Sequence, residues 1–520
     1  MSAGGGHTLQ LDLISRFQQL GRQAASFKID KQSRRDLAVS SLLVIGVALL
    51  HTAIPGPVPS GGDGGNWLAL AHEQLGNRVM SAEVTYPPVF PSMVAGLLLM
   101  TDPLVALVTS ALVAKAAPVL ATYWCCRSTG RHFAAGAAVL GGVAGSQLEA
   151  YAWGAYPQLL ATAFGLMSTY FVVNYVWNSR PWDLVAAVVA ALAVFGTHSM
   201  IAGLLVVALP VCVMHRLWML RASRRLWRRG LWVVALIAVP GALYMSAWLP
   251  GGGDGKQAVI NPLMEETSFS LVFTIRDAPL PWILVAGAGL AAMLRRDWSH
   301  PRTVPVALGA AWAVAGAAFF VATGERRALL LTQVGIVILA VLTMRRWGWL
   351  FRRRDSGLHR FASAALLVIA ISMFTGIVAG GVTYYAIAAD WYRVVDRPEL
   401  QALDVLRAAS KPSDLVVASR GHHGNPIGWW VEGYAQRRTY SGIDVRFLAF
   451  PEEREQALLA NALFLEHSSD SETLAHLASI GARFLVVDRR GPDAGWLDRA
   501  PMGAFEIVYD SDTLVILKVA

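Results

Sequence analysis

The stretch "PLVALVTSALVAKAAPVLATYW", residues 103–124, decides the fold class: one lysine, Lys115, stands in an otherwise uncharged run of bilayer-spanning length. From Lys115 to the inner end of that run is about ten residues, roughly 15 Å of helix. That is beyond easy snorkelling, so the ammonium is expected to face a bundle interior or a wet cavity. Comparable runs recur as far as residue 385. The 520 residues are 55% hydrophobic and 15% charged, with a mean hydropathy of +0.46. A soluble chain would carry about a quarter charged residues. The composition therefore predicts a polytopic α-helical membrane protein.

The runs predict eleven spans: 38–55, 103–125, 133–148, 157–177, 182–197, 199–216, 230–249, 279–295, 303–322, 327–344 and 361–385. The formal charge of +9 comes from arginines in the short loops between them, at 224–230, 295–302 and 345–354, and from Arg34 and Arg35. That is the positive-inside pattern, and it argues against a nucleic-acid partner. These anchors agree only if an even number of spans separates each pair. Counting "PPVFPSMVAGLLLM" (87–100) as a span would reverse every later anchor, so this short run is read as lying at the outer face. The N-terminus is then cytoplasmic and the C-terminus extracytoplasmic, in a plasma (inner) membrane. The first 38 residues are polar and basic and carry no visible cleavable signal. Residues 1–37 read as an amphipathic segment on anionic headgroups. Cys125, Cys126 and Cys212 all lie in or at the ends of spans, which disfavours a disulfide framework.

After residue 385 the pattern changes. "DLVVASR" (414–420), "RFLVVDRR" (483–490), "FEIVYD" (505–510) and "TLVILKVA" (513–520) read as strands. Residues 398–409, 452–467 and 471–481 read as helices. The alternation predicts a C-terminal extracytoplasmic α/β domain, 386–520, after a transmembrane domain of 38–385.

Parity gathers a set of polar residues at one face. The first outer loop, "SGGDGGNWLALAHEQLG" (60–76), sets Asp63 among four glycines, ahead of a helix whose Trp67, Leu70, Ala71 and Leu75 share one face, as an interfacial helix requires. "EVTYPP" (83–88) follows, with Glu83 and Tyr86. The next outer loop holds Glu149, Trp153 and Tyr156, and "GTHSM" holds His198. "TGERR" (323–327) ends in Arg326 and Arg327. Each has an ordinary reading too: an interfacial anchor for Glu149, Trp153 and Tyr156, a span-end histidine for His198, a snorkelling pair for the arginines. Asp254 and Lys256 read as solvated loop charges, and His422 and His423 as loop histidines.

The order of first span, early outer-loop aspartate and "TYPPVFP" resembles the GT-C superfamily of membrane glycosyltransferases. "EAYAWGAYPQLLATAFG" and "GERRALLLTQVGIVILA" resemble features of related bacterial membrane proteins, and "GWWVEGYAQRRTY" (428–440) is similar to the soluble domains after their last span. The resemblance covers about residues 38–385. It implies a GT-C-like catalytic domain that takes a sugar from a polyprenyl-phosphate carrier at the outer face and passes it to a cell-envelope glycan, lipid or protein acceptor. No Asp-X-Asp stands in the first outer loop, so nothing indicates a divalent metal or another cofactor. A transporter or flippase of lipid-linked saccharides, and a non-catalytic envelope-assembly protein, are the alternatives.

The chemistry such a reaction asks for is modest. A phosphate leaves as a stable anion, so no acid need protonate it, and one carboxylate suffices to take the acceptor proton. Asp63 is the expected base, with inversion at the anomeric carbon. Arg326, Arg327 and Lys115 are the expected donor-phosphate ligands, because guanidinium and ammonium groups stabilise the departing charge. Glycines 61, 62, 64 and 65 are expected to let the loop approach a sugar. Glu83, Tyr86, Glu149, Trp153, Tyr156 and His198 are candidate sugar contacts. In the tail, Trp429, Trp430, Glu432 and Arg437 either meet the acceptor or pack in a core.

Overall fold

The computed structural model describes residues 31–81, 86–143, 145–219, 222–248, 304–323, 328–352, 357–443, 451–465, 470–500 and 502–519. Residues 1–42 and 43–520 form two units, and of the first only residues 31–42 are described, as the start of helix α1 (Lys31–Ala53). In the second unit α1 ends and two short helices follow, α2 (Asp63–Gln74) and α3 (Val89–Leu98). Then come α4 (Pro103–Cys126), α5 (Arg131–Gly142), α6 (Gly145–Trp153), α7 (Tyr156–Asn178), α8 (Pro181–Phe195), α9 (Ser199–Met219) and α10 (Arg224–Trp248). Further on are α11 (Val304–Thr323), α12 (Leu329–Arg352) and α13 (Gly357–Trp391). Apolar runs take this form because hydrocarbon offers the backbone no partners, and a helix satisfies its own groups.

Six helices among the described residues are long and apolar enough to cross a bilayer: Lys31–Ala53, Pro103–Thr129, Tyr156–Asn178, Ser199–Trp218, Arg224–Tyr244 and Val304–Val321. The expected span at 279–295 lies outside the described residues. The run at 87–100 contributes only the ten residues of α3, a rise of about 15 Å and half the hydrocarbon thickness. One expected span is corrected. The run at 133–148 breaks after Gly142, and a separate helix, α6, begins at Gly145. Glycines weaken the helix there, and they do so where neighbours press close. A Cβ on Gly142 would lie 2.8 Å from Val119 of α4, and Gly381 of α13 packs its backbone against the Val143 carbonyl.

The C-terminal region builds a five-stranded sheet. Helix α14 (Arg397–Ala409) leads into β1 (Leu415–Ala418), a single helical turn α15 (Ile427–Trp430), a π-turn (Val431–Ala435) and β2 (Arg438–Ser441). After them come α16 (Pro451–Leu465), α17 (Asp470–Ile480), β3 (Ala482–Asp488), β4 (Phe505–Asp510) and β5 (Leu514–Val519). The strand order is β2-β1-β3-β5-β4, with β2, β1 and β3 parallel and β5 antiparallel to both β3 and β4. All four expected strands are present; β2 was not foreseen.

Alternation along the strands gives the sheet two buried faces. Val417, Leu485, Val487 and Leu517 pack with Leu463, Phe464, Leu477 and Trp496 under α16 and α17. Val416, Val486 and Ile516 join Leu403 and Leu406 of α14, and this core continues through Trp430 and Leu68 of α2 to Leu107 of α4. The start of α14 is fixed by a capping box in which Asp396 N–H donates to Glu399 (2.7 Å). Arg490 then bridges Glu399 (3.2 Å) and Asp488 (2.9 Å), tying the start of α14 to the end of β3.

Candidate functional site

Asp63 is the first residue of α2, half-buried, where a helix N-terminus favours a carboxylate. Three elements converge on it. Gly61, at φ +124°, donates its N–H to the Tyr392 carbonyl (3.2 Å) at the end of α13 and lies against the Trp153 carbonyl. Gly154, at φ +92°, is so placed that a Cβ there would sit 3.4 Å from Asp63 Cβ. Trp67 Nε1 donates to the Gly154 carbonyl (2.8 Å) and locks this α6–α7 turn onto α2. From the tail, Asn425 and Pro426 stand against Gly62.

The glycines and the helix behind Asp63 depart from the sequence reading. Gly64 and Gly65 lie inside α2, and the tail occupies the space that their missing Cβ atoms leave. A Cβ on Gly64 would lie 2.8 Å from Trp430 Cζ2, and one on Gly65 would lie 2.5 Å from the Trp429 carbonyl group and the Trp430 nitrogen. Gly433 of the π-turn closes the contact against the Gly65 carbonyl and Leu68. Gly65 serves a backbone-to-backbone contact and Gly64 makes room for the Trp430 ring, so both receive the tail and not a sugar. Nor does α2 lie at an interface with one face in lipid. Leu68 and Ala69 are buried along with Trp67, Leu70 and Ala71, while Leu75 is 37% exposed, because α15 and the π-turn cover the side that would otherwise face water.

Lys115 is 1% exposed, as its position in the span required. Its Nζ donates to His51 Nδ1 (2.8 Å) and to the Tyr385 hydroxyl (3.2 Å). The rings of Tyr151, Tyr156 and Tyr385 surround it at 5.6, 5.6 and 5.7 Å, within cation–π range. Among the described residues no carboxylate pairs with this ammonium. The cage also connects upward: Tyr156 donates to the Ser60 carbonyl (3.1 Å), three residues before Asp63, and Tyr151 to the Lys115 carbonyl (2.9 Å). His51, Tyr151, Tyr385 and Tyr392 were missed. The signal available was polar rings inside apolar runs, as in "TYYAIAADWY" at 383–392.

The other candidates divide. Tyr86, Tyr156 and His198 come together in an aromatic row: Trp67 meets Tyr86 at 5.0 Å and Phe90 at 5.7 Å, Tyr86 meets His198 at 6.5 Å, and Phe90 meets Tyr156 at 6.0 Å. Glu149 and Trp153 are half-buried on α6, and Trp153 stacks edge-on against Tyr392 (6.4 Å). Glu83, Arg326 and Arg327, like Asp254 and Lys256, lie outside the described residues.

In the tail, burial corrects two expected acceptor contacts. Trp430 is fully buried against Gly64. The Arg437 guanidinium donates to the Ser410 hydroxyl and to the carbonyls of Arg407, Ser410, Ala435 and Gln436, so its donors are engaged in holding the chain. Glu432 is buried too, and its carboxyl accepts the Ser81 N–H (3.0 Å). Burial pushes its pKa up to about 8, neighbouring Glu453 adds to the rise, and the hydrogen bonds from Ser81 and Thr439 oppose it. Trp429, Glu432 and Glu453 line a recess with Met80 and Gln456. His422 and His423 meet at a tilt of 39°, and His423 stacks on Trp391. Among the described residues no group of three or more His, Cys, Asp or Glu side chains is placed to hold a metal.

No protein-family model matches the chain, and no curated protein matches it. Solved structures do. ArnT from Cupriavidus metallidurans bound to undecaprenyl phosphate is 16% identical, with a TM-score of 0.52 over 93% of this chain and 97% of that one. The apo state of the same protein is 15% identical, with a TM-score of 0.50 over 92% and 97%. At this identity the likeness is one of fold. It spans both the membrane helices and the tail.

Proposed function

We propose that the chain is a membrane glycosyltransferase that moves a sugar from a polyprenyl-phosphate donor to a glycan, lipid or protein acceptor at the extracytoplasmic face. The observation that carries this reading is the placement of Asp63: a carboxylate where three elements converge, in a loop that Tyr156 joins to a buried ammonium with no carboxylate partner among the described residues, in a fold shared with a structure solved with undecaprenyl phosphate. Asp63 accepts the acceptor's hydroxyl proton as the oxygen attacks the anomeric carbon. The carrier phosphate leaves from the opposite side, and the configuration inverts. Such a base contributes about 10²–10⁴-fold.

Arg326 and Arg327 are the direct phosphate ligands in this scheme. Lys115 is sealed beneath Tyr156 and Tyr385, so its charge acts on the departing anion through one tyrosine layer. A preorganised cation in a water-poor setting is worth more there than in water. Tyr86, His198, Trp153 and Glu149 border the sugar, together with Glu83, while Tyr156, fully buried, supports the loop of Asp63 through the Ser60 carbonyl. The test incubates purified protein with a panel of polyprenyl-phosphate sugars and acceptors and follows release of carrier phosphate. Acceptor-dependent release supports transfer. Movement of intact donor across sealed vesicles, with no glycosidic bond broken, would establish a transporter instead.

A further inference from the structure

Trp391 and His423 stack almost in parallel, 3.7 Å between ring centres and 8° between planes, and both are exposed. Trp391 is 51% exposed although the imidazole covers one face, which leaves the opposite face of the indole open. The pair is built, not loose. Asn425 donates its side-chain N–H to the Trp391 carbonyl (3.2 Å) and to the His422 carbonyl (2.9 Å), joining the end of α13 to the 421–426 loop. That loop turns sharply, with His423 itself at φ +55°, a backbone region costly for a non-glycine residue. The same Asn425, with Pro426, stands against Gly62, the residue before Asp63. The open aromatic face is thus fastened to the edge of the Asp63 site. Burial holds the His423 pKa below its ordinary value and His422 lowers it further, against Asp390, so the ring is neutral at physiological pH.

An exposed tryptophan at the end of a spanning helix is ordinarily an anchor in the headgroup layer. Its height argues otherwise. The apolar run of α13 begins at Phe361 and is read as a span to position 385. A headgroup layer of roughly 5–8 Å takes about five more. Trp391 stands just past that layer, six residues or about 9 Å beyond the span, where an open indole face has little lipid to rest on. What an aromatic face binds in water beside a sugar-transfer site is the apolar face of another sugar ring.

The geometry points to a saccharide subsite at Trp391–His423, on which a glycan acceptor stacks beside the loop that carries Asp63. This rests on the transferase reading for its biological sense, but binding is measurable without turnover. The full chain in detergent is titrated with linear trisaccharides of glucose, mannose, galactose and arabinose, and binding is read by saturation-transfer NMR. At least one of them binds the wild type. Trp391→Ala weakens it roughly three- to tenfold, His423→Ala weakens it less, and Trp391→Tyr restores it. In the transfer assay Trp391→Ala raises the acceptor KM by a similar factor and leaves the donor KM alone. Saccharide binding lost in Trp391→Ala, with no transfer in any combination, would uphold the subsite and overturn the transferase. Transfer with an unchanged acceptor KM in Trp391→Ala would overturn the subsite and uphold the transferase. Quenching of the Trp391 signal by brominated lipids, read as the difference between wild type and Trp391→Phe, would make the residue a membrane anchor and overturn the subsite.

Discussion

Gly65→Ala tests how the tail sets the position of Asp63. The added Cβ would meet three backbone atoms, the Trp429 carbonyl carbon and oxygen and the Trp430 nitrogen, each at 2.5 Å, whereas ordinary contacts begin near 3.4 Å. Backbone cannot rotate away as a side chain can, so α15 and α2 must part by about 0.9 Å, the difference between those distances. Overpacking of this kind costs about 1–3 kcal/mol. Alanine's better helix propensity returns at most about 1 kcal/mol, and less in a first turn, so the net effect is destabilising. The larger consequence is for rate. Asp63 lies two residues away, and a shift of about 1 Å at a reacting group costs on the order of 10²-fold. Gly96→Ala in α3, where nothing lies within 4 Å of the new methyl, is the control and is expected to be neutral or slightly stabilising. The assay is carrier-phosphate release alongside the thermal midpoint of the purified protein. Wild-type rate and midpoint in Gly65→Ala would refute the close contact between tail and α2.

Lys115→Met is expected to change stability little, because removing an ammonium that no carboxylate compensates offsets the unpaired His51 and Tyr385 groups it leaves; transfer should nevertheless fall at least tenfold, and an undiminished rate would remove Lys115 from the chemistry. Glu432 makes stability depend on pH. Its folded pKa of about 8 lies above the unfolded value of 4.5, so the native state binds the extra proton, and stability falls as pH rises between those values. Denaturation from pH 5 to 9 should show that slope in the wild type and a flatter one in Glu432→Gln; identical slopes would refute the assignment. For orientation, Arg228→Cys and Gly495→Cys, both at exposed positions in a chain whose own cysteines are buried, should react with an impermeant thiol reagent from opposite sides of a sealed vesicle. Labelling from one side would overturn the parity argument.

Much of this was written locally. Long apolar runs give the spanning helices, alternation gives four of the five strands, and the depth of Lys115 in its run gives its burial. What failed was whatever depended on residues far apart in sequence. The break of 133–148 packs against Val119 and Gly381, and α2 is buried by residues some 360 positions on; neither contact leaves a periodic trace. Glycine carried the misleading signal: Gly64 and Gly65 did mark a close approach, but to Trp429 and Trp430 rather than to a ligand. Arg437 and Trp430 read as binding groups because their chemistry suits a sugar, and it suits the interior of the tail equally. The bond of Lys115 to His51 joins positions 64 apart, and no spacing rule would have paired them.

The claim on which the rest depends is that Asp63 is the base of an inverting transfer. The direct measurement is single-turnover transfer from a polyprenyl-phosphate sugar of known anomeric configuration, comparing wild type with Asp63→Asn and reading both carrier release and product anomer by NMR. The account predicts an inverted product from the wild type, and a rate at least 10²-fold lower in Asp63→Asn with donor binding retained. A retained anomeric configuration, or an Asp63→Asn variant as fast as the wild type, would contradict it.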